Sequence, residues 1–143
     1  MIEKIKVRPF SIDNALQVLE LLQEISRHQL LPIEAQNFAK EFLGQSGAQG
    51  YVALEGDVVI GFGSIVTYMR VRGGRCGVIE DVVVAENFRR RGVASMIITE
   101  LMEFAKKGGC FKVSLESNNA SRSIYKTSGF DDGGLTMKHI FIK

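Results

Sequence analysis

The chain has no tryptophan, two prolines, two cysteines and two histidines in 143 residues. Each scarcity removes a class of protein. Cys76 and Cys110 form no CxxC pair, and His28 and His139 lie far apart. The four N or S ligands of a tetrahedral zinc site therefore occur at none of the usual spacings, and no metal is expected. Two isolated cysteines beside apolar residues read as reduced core thiols rather than as a bridge. No stretch approaches the roughly 20 apolar residues of a membrane span. The first residues, Met1-Ile2-Glu3-Lys4-Ile5-Lys6, alternate charge with apolar side chains and carry no signal-peptide core. A cytoplasmic protein without membrane attachment is the expectation. A formal net charge of +2 is too small to argue for nucleic acid, and the arginine run described below has only Phe88 as an adjacent aromatic.

A hydrophobic fraction of 45% and a charged fraction of 24% are those of an ordinary globular chain. There is no internal repeat, low-complexity tract or linker, so residues 1–143 read as one domain able to bury its own core. Residues 5–10 alternate and suit a first strand, after which Ser11 and Asp13 supply a helix start. Ala15, Val18, Leu19, Leu22 and Ile25 make one helical stripe, and Pro32 opens a second helix carrying Ala35, Phe38, Ala39 and Phe42. A loop over 44–50 leads to two strands joined at Glu55-Gly56-Asp57. After the basic connection 70–75, Val82-Val83-Val84 reads as a central strand buried on both faces. An amphipathic helix over 91–107, a strand over 110–115, a short helix over 119–127 and a final strand over 135–142 complete the order. The strand–helix–strand unit at 77–115 fits a right-handed crossover with parallel strands. The expected fold class is α/β, with a single mixed central sheet and helices on both sides.

Between the buried strand and the amphipathic helix lies Arg89-Arg90-Arg91-Gly92-Val93-Ala94-Ser95. A helix N-terminus leaves about four backbone N–H groups unpaired and carries roughly half a positive charge. Such donors suit a pyrophosphate, and Gly92 lets it approach the backbone. Three cations at the positive end of a helix dipole are locally unfavourable, a conflict that a bound anion relieves. Neither GxxxxGK[ST] nor a GxGxxG after a strand occurs.

Arg89-x-x-Gly92-x-Ala94, together with Asn118, Tyr125 seven residues on and Gly129-Phe130, resembles the signature of the GCN5-related N-acetyltransferase (GNAT) superfamily. The resemblance implies the GNAT fold, in which two parallel strands splay to admit the pantetheine of acetyl-CoA as a co-substrate. It places the backbone of Val82 and Val84, with Val83 between them, against the pantetheine. The pyrophosphate would lie on Arg89, Arg90, Arg91, Gly92, Val93, Ala94 and Ser95, and Asn118 and Ser121 would wall the slot. Tyr125 becomes the proton donor to the leaving thiolate. Of the adjacent carboxylates Glu80 and Asp81, which strand alternation sends to opposite faces, Glu80 is the better base, through a water. Asp81 is then left to bind the substrate amine or to secure the strand.

Cys76-Gly77-Val78-Ile79-Glu80-Asp81-Val82-Val83-Val84 and Gly109-Cys110-Phe111-Lys112-Val113 narrow the resemblance to the glucosamine-6-phosphate N-acetyltransferase branch and its bacterial relatives. That branch implies a phosphorylated amino sugar as acceptor and a homodimer. The chain departs from it at Val78, where the branch has histidine, at Glu116-Ser117-Asn118-Asn119 in place of an Asp-rich segment, and at Thr67-Tyr68-Met69-Arg70. Arg70, Arg72 and Arg75 are candidates for a substrate phosphate, or else a solvated loop. Two other functions fit the same residues: a protein or peptide N-acetyltransferase, and a non-catalytic acyl-CoA sensor.

Overall fold

The computed structural model describes residues 4–23 and 31–142. Five strands form one sheet in sequential order: β1 (Lys6–Pro9), β2 (Ala48–Glu55), β3 (Val58–Met69), β4 (Arg75–Val84) and β5 (Cys110–Leu115). The first four are antiparallel and β5 runs parallel to β4, so the sheet is mixed as expected. The parallel pair requires a crossover, and α3 (Val93–Lys107) supplies it.

The two sheet faces bury different sets of residues. On one, α1 (Ala15–Leu22) and α2 (Pro32–Leu43) press Val18, Leu21 and Ala39 onto Val52, Val59, Phe62 and Val83. Phe10 joins them, its ring edge-on to Phe62 at 5.2 Å between centroids. On the other, α3 lays Val93, Ile97, Leu101 and Ala105 onto Ala53, Ile60, Ile65, Ile79 and Val84. The period-3.6 stripe of α3 thus meets the period-2 pattern of the strands. Gly63 is the space for this contact: a Cβ there would lie 2.7 Å from Ile97 Cγ2 and 3.1 Å from Leu101 Cδ1.

Several expectations need correction. β2 begins at Ala48, so the loop before it is shorter than 44–50. Gly47 ends it, its carbonyl accepting from both the N–H (2.8 Å) and the Oγ1 (3.1 Å) of Thr67. Phe38 lies off the buried stripe of α2 and is 50% exposed; Ile25 and His28 fall outside the described residues. The last helix, α4, is shorter than anticipated, at Arg122–Thr127. The largest departure is the C-terminus, where no described residue after 130 is in a strand. Leu135, Met137 and Phe141 are 97%, 93% and 92% exposed. The alternating pattern is present, but a strand exists only where a neighbour takes up its backbone groups.

Gly63→Val tests the helix–sheet contact. Overpacking of this kind costs about 1–3 kcal/mol, so the urea midpoint should fall with the slope unchanged.

Candidate active site

Ser64 of β3 pairs with Glu80 and Phe62 pairs with Val83, so Gly63 alone faces both Asp81 and Val82. Two residues against one is a β-bulge. The burial pattern agrees: Ile79, Val82 and Val84 all pack on the α3 side, a step of three followed by a step of two. Asp81 is the extra residue, and its φ of 57° is left-handed. Asp is among the few side chains that tolerate this region. The Ser64 hydroxyl donates to the Glu80 carbonyl at 3.0 Å and fixes the bulge from the β3 side.

The bulge turns β4 away from its parallel neighbour. Pairing with β5 ends at Ile79–Leu115, while β4 continues to Val84. A cleft of about 920 Å³ opens at that point, with Glu80, Asp81 and Val82 on one wall and Ser114, Leu115, Glu116, Ser117 and Asn118 on the other. Among the described residues no strand pairs with the cleft side of β4 along this stretch. Both carboxylates border the cleft, although the bulge breaks the alternation expected to send them to opposite faces. Partial burial pushes the Asp81 carboxyl above the ordinary aspartate range.

Tyr125 reaches the cleft from α4, and Ser121 from the turn just before it. The turn before this helix is organised by Asn118, whose Oδ1 accepts from the N–H and the hydroxyl of Ser121, both at 2.9 Å. Asn118 therefore shapes the wall as much as it lines it. The other end is closed by Gly129, at φ 98°, and Phe130, whose N–H donates to the Tyr125 carbonyl at 3.0 Å. This six-to-one bond marks a Schellman cap. The Phe130 ring then lies edge-on to Tyr125 at 6.1 Å. Burial raises the Tyr125 phenol above its ordinary value, so its hydroxyl is protonated at neutral pH.

The arginine loop is pinned to the end of β4. Arg89 Nε donates to the Val84 carbonyl at 3.0 Å, and the Arg91 guanidinium lies 5.2 Å from the Phe88 ring centroid. Arg90 has φ 65° and Gly92 φ 78°. The first backbone bond of α3 runs from the Met96 N–H to the Gly92 carbonyl, so the N–H groups of Val93, Ala94 and Ser95 precede the helical ladder. A Cβ built on Gly92 meets nothing within 4 Å, which leaves open space beside these donors. Val83 and Val93 are buried in the two cores, so only their backbones can face a ligand.

Arg70, Arg72 and Arg75 stand elsewhere. The β3–β4 connection lies at the start of β4, on the order of 16 Å from Glu80 at about 3.3 Å per strand residue. None of the three lines the cleft. Arg70 is engaged locally, its Nε donating to the Gly73 carbonyl at 3.2 Å and its guanidinium stacked 4.5 Å from the Phe111 centroid. The cation that does border the cleft is Lys138, paired with Glu116 at 3.1 Å. Sequence reasoning gave it no role because residues 135–142 read only as a final strand.

Residues 15–130 match the acetyltransferase (GNAT) family, and the chain belongs to it. A glucosamine 6-phosphate N-acetyltransferase 1 of Oryza sativa subsp. japonica is 30% identical over 142 residues, covering 94% of this chain and 86% of the rice protein. A glucosamine 6-phosphate N-acetyltransferase of Trypanosoma brucei brucei is 38% identical over 74 residues, half of each chain. The chain spans about half or less of the length of the first curated relatives it matches. The crystal structure of glucosamine-6-phosphate N-acetyltransferase from Arabidopsis thaliana superposes with a TM-score of 0.90, over 98% of this chain and all of that one. At 24% identity this is a likeness of fold.

The raised Asp81 carboxyl has a stability consequence. The folded state holds this proton more tightly than the unfolded chain, so Asp81 lowers stability as pH rises through its folded pKa. Asn also tolerates positive φ. Asp81→Asn should therefore be more stable than the wild type at pH 7, by a margin that shrinks toward pH 4. Parallel denaturation curves across that range would reject the shift if the margin stayed constant.

Proposed function

We propose that the chain is an acetyl-CoA-dependent N-acetyltransferase for the primary amine of a small molecule, with an amino sugar phosphate such as glucosamine 6-phosphate as the foremost acceptor. The carrying observation is the cleft between the splayed ends of β4 and β5, with a protonated tyrosine on one side and two carboxylates on the other. Its volume suits a small-molecule site. The residues fit the co-substrate: the cleft-side edge of β4 past Ile79, which has no partner in β5, matches the amides of a pantetheine arm, and the N–H groups of Val93, Ala94 and Ser95 match a pyrophosphate. Acetyl-CoA supplies the acetyl group as a thioester.

The amine nitrogen attacks the carbonyl carbon; the C–N bond forms, the C–S bond breaks and the electron pair passes to sulfur. Tyr125 is the group to protonate the departing sulfur, its own hydroxyl being held neutral by burial. The amine must also shed a proton. Burial favours Asp81 as its acceptor, since a raised carboxyl binds protons more tightly. Glu80, on the same wall, is placed to act through a water or to orient the amine. Val82 and Val84 offer backbone groups, Asn118 and Ser121 frame the opposite side, and Arg90 is the loop cation for the phosphates. The cleft is bordered by the chain's own residues 133–136, which favours a small acceptor over a peptide. We assign the enzyme to the cytoplasm as a homodimer; the two free thiols support a reducing compartment.

Thiol release from acetyl-CoA, measured across amino sugars, their 6-phosphates, polyamines and peptides, tests the reading. Tyr125→Phe should lower kcat by about 100-fold, the lower end for general acid catalysis, with little change in the KM for acetyl-CoA. Unchanged turnover in the variant would remove Tyr125 from the chemistry, and no thiol release with any amine would leave an acyl-CoA sensor. Gly92→Ala separates binding from chemistry. The left-handed φ costs about 1–2 kcal/mol in stability, and the thermal shift given to the wild type by acetyl-CoA should shrink beyond that fixed loss. An undiminished shift would place the pyrophosphate elsewhere.

A further inference from the structure

The helix that carries Tyr125 has little of its own to hold it in place. α4 has six residues, well short of the roughly 12–15 at which an isolated helix becomes even marginally stable in water. A surface helix is normally fixed by the apolar face it buries. None of the residues of α4 is buried, and Tyr125 is half-buried while Arg122, Ser123, Ile124, Lys126 and Thr127 stand exposed. The one side chain that could seat the helix therefore borders an open cleft.

A firmer attachment lies just past the end of α4. Phe130 packs against the α3 core, and Asp132 follows two residues later. The Asp132 carboxylate turns back onto the helix. Arg122 Nε donates to its Oδ1 at 3.1 Å, a second guanidinium nitrogen of Arg122 donates to Oδ2, and Lys126 Nζ stands 3.4 Å from Oδ2. Arg122 and Lys126 are four residues apart, so one carboxylate meets both on one face of the helix. Isolated surface ion pairs contribute little, but a two-pronged arginine fork joined by a second cation is a network. The hydrogen bond and charge of Arg122, with Lys126 beside it, hold the Asp132 carboxyl below the ordinary aspartate range. Acetyl transfer as derived above uses none of these three side chains, and none of them lines the cleft.

We propose that Asp132 is a positioning residue for the proton transfer: by clasping Arg122 and Lys126 it ties α4 to the core-anchored segment after Phe130 and holds the Tyr125 hydroxyl at the cleft. The two cations flank Tyr125 in sequence, three residues before it and one after, so the clasp restrains the helix on both sides of the acid. The proton itself passes from the Tyr125 oxygen to the departing sulfur, and Asp132 touches neither. A general acid acts only within hydrogen-bond reach of its target, which is why the setting of a short, shallowly seated helix matters. This deepens the reading in which Tyr125 protonates the leaving group and rests on it.

Asp132→Asn keeps the size of the side chain and removes its charge. It should lower kcat by roughly tenfold with the KM for acetyl-CoA little changed, since a displacement of about 1 Å at a reacting group costs up to about 100-fold. Asp132→Glu, which keeps the charge, should recover most of the rate. In a Tyr125→Phe background Asp132→Asn should cost nothing more, because no hydroxyl is left to position. Losses that multiply, or a full-rate Asp132→Asn, would overturn the positioning role. Hydrogen exchange reads the clasp without catalysis. The amides of Tyr125, Ser128 and Phe130, which donate within α4 and its cap, should exchange faster in Asp132→Asn, while Ile97 and Leu101 of α3 keep their protection. Equal protection of α4 in both proteins would also overturn it. A slowed Tyr125→Phe beside a full-rate Asp132→Asn removes the clasp alone, whereas a full-rate Tyr125→Phe removes the acid and the clasp together.

Discussion

The site depends on one extra residue in β4. Asp81 and Val82 stand against Gly63 alone, and the strand must turn to absorb the mismatch. The turn separates β4 from β5 just past Ile79–Leu115 and exposes backbone groups that a regular parallel pair would have consumed. It also places a carboxylate at a left-handed φ on the cleft wall. The cost is spread over the surroundings. Ser64 secures the Glu80 carbonyl, Gly63 admits Ile97 and Leu101 close to the sheet, and Val82 and Val84 stay anchored in the α3 core. Remove the mismatch and β4 would have no reason to leave β5, so the cleft would close.

The same accounting holds at the arginine loop. Three cations gathered at the positive end of α3 are repelled by the helix dipole as well as by one another. Arg89 is spent on the Val84 carbonyl and Arg91 lies over Phe88, so each has a local reason to stay. Those two contacts tie the helix N-terminus to the end of β4, where the cleft begins. Arg90, with φ 65°, is the residue whose backbone is strained to complete the turn. Strain of this kind persists where the surrounding structure dictates it and clusters at functional sites.

Legibility in the sequence followed the range of the interactions. The loop and the Gly129-Phe130 cap could be read because a helix terminus and a Schellman turn are local, and their residues sit next to one another. The amphipathic helix over 91–107 could be read because one helix face is periodic, and Val93, Ile97, Leu101 and Ala105 are among the residues that face buries. The bulge was invisible for the opposite reason: Glu80-Asp81-Val82-Val83-Val84 looks like an uninterrupted strand until its register against β3 is known. Asn118 was legible as a wall residue, while its role in capping α4 depends on Ser121 folding back onto it. Arg70, Arg72 and Arg75 were plausible phosphate ligands by charge, but the β3–β4 connection and the start of β4 hold them at the opposite end of β4 from the cleft.

The C-terminal tail joins these two kinds of information. Its alternation was readable, and alternation specifies a strand face without specifying the neighbour. A helix satisfies its backbone internally, so a helical pattern nearly determines a helix; a strand pattern leaves half the hydrogen bonding to be found elsewhere. For residues 135–142 no described strand pairs with them, and Lys138 is held by its side chain to Glu116. The two sides of the cleft inherit this difference. The arginine loop and the cap of α4 are built from local signals within one chain and are well determined by them. The other side of the cleft is bordered by residues 133–136 and 138, which the sequence pattern placed in or beside a strand, and that is why the amine was the least legible element of the sequence.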